Sequence, residues 1–181
     1  MSHHLGRFSN LHLRELLFAS VLTLGTLIGP AAMALEQGEQ APDFTLPDIQ
    51  DGKPTISLSA LRGKTVYVDF WASWCTPCLR SMPLINELYA KYREHGFEVV
   101  AINVDDPVDD GREFLLDTPL DYLIAADTES SVLEQYGVIG MPTSYLIDPQ
   151  GVVRLGHMGF KDKDIEIIEK ELTQVLDEAT P

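Results

Sequence analysis

Cys75 and Cys78 are the only two cysteines in a chain of 181 residues, and they stand three apart in Trp74-Cys75-Thr76-Pro77-Cys78. Two thiols at that spacing can close a disulfide within one helical turn. At a helix N-terminus the free backbone N–H groups and the helix dipole favour the thiolate of the first. This spacing makes Cys75 the exposed attacking nucleophile and Cys78, one turn in, the more buried resolving thiol. A C-x-x-C pair is also half of a tetrahedral zinc site. The other half is missing, because outside the first 34 residues the only histidines are His95 and His157, which read as surface or turn residues. Two thiolates with Met82 or Met141 would suit Cu(I), so a copper- or apocytochrome-binding module is kept as an alternative, although methionine more often fills apolar gaps. The leading expectation is redox chemistry with no metal and no cofactor.

Such a pair needs a strand, a tight turn and a helix to position it. Thr65-Val66-Tyr67-Val68-Asp69-Phe70-Trp71-Ala72 is β-branched and aromatic, and apolar on both faces as a central strand would be, except at Asp69. From Cys75 to Glu94, Leu79, Met82, Leu84, Ile85, Leu88, Tyr89 and Tyr92 follow helical spacing up to a stop at His95-Gly96, with Pro83 predicted to kink the helix. Residues 97–104 read as the next strand, parallel to the first by the crossover rule. Ahead of these, 44–46 and 55–58 flank Asp51-Gly52 as an N-terminal hairpin. Beyond them come a helix over 109–118, a strand over 120–125 and a helix over 130–136, capped by Ser130 or Ser131 and stopped at Gly137. A hairpin of 144–148 and 152–155 turns on Asp148-Pro149-Gln150-Gly151, and a last helix over 164–178 buries Ile165, Ile168, Leu172, Val175 and Leu176. The order predicts an α/β fold: a mixed central sheet of about five strands flanked by helices, with the N-terminal hairpin and a central βα insertion.

The first 34 residues read differently. Arg7 and Arg14 precede an uncharged apolar stretch from Leu16 to Ile28, and Ala32-Met33-Ala34 gives an A-x-A pattern. Residues 1–34 are therefore expected to be a signal peptide cleaved after Ala34, and 35–181 a single domain in an oxidising compartment. An uncleaved membrane anchor is the alternative, since the uncharged span approaches membrane-crossing length. The two arginines are not adjacent and no cysteine stands nearby to carry a lipid. Formal net charge is −15, which argues against nucleic acid as a partner. The acidity serves solubility, or steers basic or weakly folded polypeptides to the site.

These residues carry a family resemblance. Val68 to Cys78 resembles the thioredoxin active-site segment. Ala41-Pro42-Asp43-Phe44-Thr45-Leu46, the insertion near 105–126 and Met141-Pro142-Thr143 narrow it to the TlpA/ResA/CcmG-like, AhpC/TSA-Redoxin-related periplasmic thiol-disulfide oxidoreductases. The resemblance spans about 35–176 and implies a thioredoxin fold and a redox-active Cys75–Cys78 disulfide. Pro142 would be a cis-proline facing that disulfide, and its turn with Met141 would hold substrate in strand-like pairing. Trp74 would shield the disulfide, with Thr76 and Pro77 beside it on the substrate-binding surface. Asp69 matches the buried acid beneath the second cysteine, whose raised pKa lets it take the proton of Cys78. Many members carry a glutamate three residues after the second cysteine, where this chain has Ser81. That departure weakens the transfer of a dedicated role in cytochrome c biogenesis.

The resemblance implies a protein-disulfide reductant recharged by a membrane thiol-disulfide electron donor, since Pro77 before the second cysteine is like the reducing members. An oxidase or isomerase on the same scaffold is the alternative, because direction depends on the partner and on thiolate stability. A peroxidase is disfavoured: Ala72, not threonine, precedes Cys75 by three. Partners are then proteins with disulfides, and membrane contact arises only if the leader stays uncleaved.

Overall fold

The computed structural model describes residues 34–179; residues 1–33, on which the leader and cleavage expectations fall, and 180–181 lie outside the described part. β1 (Thr45–Leu46) and β2 (Ile56–Ser57) form a small antiparallel pair. The main sheet has five strands in the order β5-β4-β3-β6-β7: β3 (Thr65–Trp71), β4 (Phe97–Asn103), β5 (Leu123–Ala126), β6 (Thr143–Ile147) and β7 (Val153–Met158). β3, β4 and β5 are parallel, while β6 and β7 run antiparallel. Four helices join them: α1 (Thr76–Tyr92), α2 (Val108–Asp117), α3 (Ser131–Gln135) and α4 (Asp164–Ala179).

Every residue of β3 is buried, and its alternation sends two sets of side chains to two cores. Val66, Val68 and Phe70 join Phe44, Leu58, Val100, Ile102, Tyr136 and Tyr145 on one face. Tyr67 and Trp71 join Cys75, Cys78, Met82, Ile85, Ala101, Leu146, Ile168 and Leu172 on the other, under α1 and α4. The cysteines therefore sit on the core that odd-numbered β3 residues face, Asp69 among them.

The N-terminal segment closes both edges of the sheet. Gly38 and Val153 exchange strand-like bonds with their neighbours, with Gly38 N–H to Val153 C=O at 2.8 Å and Val153 N–H to Glu39 C=O at 2.8 Å. On the opposite edge, Ile49 N–H reaches Ile124 C=O and Ala126 N–H reaches Pro47 C=O, each at 2.9 Å. Among the described residues no helix is long and apolar enough to cross a membrane.

Three local expectations are corrected. The strand predicted over 120–125 starts only at Leu123, because Asp121 N–H is taken by the Asn86 side chain at 2.9 Å, which holds the approach in a loop. Ser130 occupies the N-cap position of α3, as expected, but neither serine's side chain supplies the capping bond. Ser130 adopts φ 54° and makes no capping bond. The buried Asp127 carboxylate instead accepts the N–H groups of Ser131, Val132 and Leu133 at 2.9–3.0 Å. The helix over 109–118 begins one residue earlier and ends at Asp117. α1 is continuous from Thr76 to Tyr92, with Pro83 inside it.

Candidate active site

β3 ends at Trp71, and a single turn leads into α1: Cys75 N–H donates to Ala72 C=O at 3.0 Å. Cys75 is the N-cap residue of α1, and Pro77 stands in the first turn. A helix start leaves its first amide groups without intrahelical acceptors. Pro77 has no N–H to contribute, so the free amides of this first turn are those of Thr76 and Cys78. No acidic residue lies in the first turn to oppose a thiolate. These features lower the cost of ionising Cys75.

The two sulfurs are joined in a disulfide, with the Cα atoms 5.3 Å apart. Cys78 is fully buried, as predicted, but Cys75 is only 5 % exposed rather than open to solvent. The bond turns its sulfur inward over Cys78, and the residue that stands out is Trp74, 68 % exposed. It forms one wall of a shallow apolar groove of about 360 Å³ whose other walls are Leu133, Val138, Ile139, Gly140 and Met141. Thr76 is exposed and Pro77 half-buried at the rim.

β6 enters the site from the other side. Phe70 pairs with Thr143 across the antiparallel ladder, so the end of β3 and the start of β6 lie at the same end of the sheet. The Met141–Pro142 peptide is cis. Gly159 N–H donates to Pro142 C=O at 2.8 Å and Thr143 Oγ1–H to Gly140 C=O at 2.6 Å, which fixes the turn. No described residue hydrogen-bonds the backbone N–H or C=O of Met141, so both are available to an extended segment lying in the groove.

On the core face that the cysteines share, Asp69 is 4 % exposed in the middle of β3. Its ladder neighbours are Ala101 on β4 and Ser144 on β6. No cation or hydrogen-bond donor among the described residues engages its carboxyl, and Ser144 Oγ is instead bonded by Tyr67 Oη at 2.7 Å. Burial alone raises the Asp69 pKa from 3.8 to about 8. At neutral pH this buried carboxyl is mostly protonated. Ser81, the departure from the family pattern, is buried and donates to Cys78 C=O at 2.9 Å, so its hydroxyl is occupied by the helix. His95 lies in the turn after α1, and His157 on β7 sits 3.3 Å from Asp164, away from the chemistry.

The AhpC/TSA family model matches residues 37–155. The chain belongs to that family. Within the AhpC/TSA family, the chain is 36 % identical over 147 residues, 81 % of its length and 80 % of the relative's, to thiol-disulfide oxidoreductase ResA of Bacillus thuringiensis. It is 38 % identical over 160 residues, 88 % of its length and 90 % of the relative's, to ResA of Geobacillus kaustophilus. A Chlorobium tepidum structure described as a thiol:disulfide interchange protein DsbE superposes with a TM-score of 0.76 at 43 % identity, covering 79 % of this chain and 99 % of that one. The AhpC/TSA chain is thus a thioredoxin-fold thiol-disulfide oxidoreductase of the ResA-like kind, with Cys75 and Cys78 as its C-x-x-C pair.

Two contributors escaped the sequence reading. Ile139, 85 % exposed, lies in the loop between α3 and β6, where no periodicity marks it. Asp105, fully buried and bonded to Ser73, stood in the sequence only as one of two consecutive acids after a strand.

Proposed function

We propose that the protein is a dithiol reductant of disulfides in exported proteins. The observation that carries this reading is the asymmetry of the pair: Cys75 at the N-cap of a helix with no acidic residue in its first turn, and Cys78 wholly buried on the core face that also receives the uncompensated Asp69.

In the reduced protein the Cys75 thiolate attacks a substrate S–S bond, forms a mixed disulfide and expels one substrate thiolate. Cys78 then gives its proton to the Asp69 carboxylate and attacks the Cys75 sulfur. The Cys75–Cys78 bond forms, the second substrate thiolate leaves, and two electrons have passed from the dithiol to the substrate. Recharging reverses the last step: the protonated Asp69 supplies the proton to the departing Cys78 sulfur. A buried carboxyl with no cation beside it gives the Cys78 thiolate no stabilisation, and a dithiol whose thiolates are less stabilised is the more strongly reducing one. The groove between Trp74 and Met141 takes the extended chain flanking the substrate cysteine. A membrane thiol-disulfide donor returns the electrons, and the domain works on the periplasmic side of the membrane behind its leader.

A reduction potential near ~ −270 mV supports the reductant reading, and one near ~ −120 mV rejects it in favour of an oxidase. Trapping mixed disulfides with Cys78→Ala in the native compartment identifies the substrates. Recovery of none from the envelope rejects the assignment of exported disulfide proteins.

A further inference from the structure

The turn that presents Cys75 is held from below by one buried carboxylate. Asp105, 1 % exposed, follows the end of β4. Its two oxygens share Ser73 N–H at 2.9 and 3.2 Å, and Oδ1 also accepts Ser73 Oγ–H at 3.0 Å. Oδ2 accepts the Asn103 Nδ2–H at 2.7 Å, and Asp105 N–H donates back to Asn103 Oδ1 at 3.2 Å. Ser73 lies two residues before the nucleophile, inside the Ala72–Cys75 turn. Three hydrogens thus converge on one anion and leave the turn little freedom, since charge-assisted bonds of this kind are the strong ones.

The tripod is seated in turn by the inserted helix. Gly111 of α2 rests directly on the Asn103 amide: a Cβ at that glycine would come within 2.6 Å of Nδ2 and 2.9 Å of Cγ and Oδ1. Three residues on, Phe114 packs against Trp71, with ring centroids 5.6 Å apart. One helix therefore grips both ends of the segment leading to Cys75.

We propose that Asp105 is a positioning residue for the redox pair and that α2, through Gly111 and Asn103, sets how tightly Cys75 is held against Cys78. A disulfide tolerates a narrow range of Cα separations, whereas a dithiol does not need one. Holding the turn raises the effective concentration of one sulfur at the other and so favours the closed bond. Loosening it shifts the balance toward the dithiol.

The inference rests on the reading of Cys75 and Cys78 as the exchanging pair, and is read by a measurement indifferent to the direction of electron flow in the cell. The full-length protein is equilibrated with glutathione, in which two glutathione thiols reduce the protein disulfide and emerge as one glutathione disulfide. A wild-type protein that takes up no electrons from glutathione or dithiothreitol refutes the redox reading itself. With a titrating wild type, Asp105→Asn turns a donor toward the Asn103 amide and is expected to favour the dithiol about tenfold, ~30 mV for a two-electron couple. Ser73→Ala deletes one bond and keeps the backbone donor, and Gly111→Ala displaces Asn103. Both are expected to move the constant three- to fivefold the same way, and to slow closure of the mixed disulfide in proportion. Should Asp105→Asn not fold, these two decide. Lower melting temperatures with an unchanged constant in both overturn the proposal, and a shift in Ser73→Ala without one in Gly111→Ala overturns the part given to α2.

Discussion

Asp69 is a titratable group whose chemistry and energetics pull in opposite directions. Its pKa rises from 3.8 to about 8 on burial, so the folded state holds a proton that the unfolded chain releases. Between those values stability falls as pH rises, and it levels off above about 8. Asp69→Asn removes that loss, and denaturant unfolding at pH 8 is expected to show a gain on the order of 3 kcal/mol over the native protein, with little difference at pH 4. The same substitution is expected to slow resolution of the mixed disulfide about 10²-fold and to abolish its rise with pH toward 8, read by single-turnover quench. Ser81→Ala, whose hydroxyl serves only the Cys78 carbonyl, leaves that rate unchanged. An Asp69→Asn protein that resolves at the native rate excludes the carboxyl as proton acceptor.

At the scale of elements, the cap of α3 is the sharpest test of local structure. Asp127→Ala strips three backbone N–H groups of their acceptor and is expected to cost about 2 kcal/mol in chemical denaturation. Ser130→Ala is expected to be nearly silent, because that side chain caps nothing. The strands and helices that carry strong periodicity were legible in the residues: β3, β4, α1 and α4 fall within a few positions of their predicted limits. α3 was legible as a helix but not in its cap, since four polar candidates precede it and only the path of the chain out of β5 decides which one points back. The redox pair and the buried acid could be read from type and spacing. The burial of Cys75, the outward Trp74 and the Ser73–Asp105 contact could not, because each depends on residues some 30 or more positions apart meeting at one end of the sheet.

For the molecule as a whole, charge and edge protection matter more than any single contact. With a formal net charge of −15, association with a basic unfolded substrate is expected to slow several-fold between low and physiological ionic strength, measured by stopped-flow, while an acidic substrate shows the opposite trend. Equal salt dependence for both would leave the acidity a matter of solubility alone. Residues 38–41 and 47–49 lie along the outer rows of β7 and β5, and this has a consequence for handling the protein. A chain in which residues 38–49 come loose bares two unpaired backbone rows at once, each able to template a second copy. Partial proteolysis near residue 40 is then the step that first exposes the β7 edge to pairing with another chain.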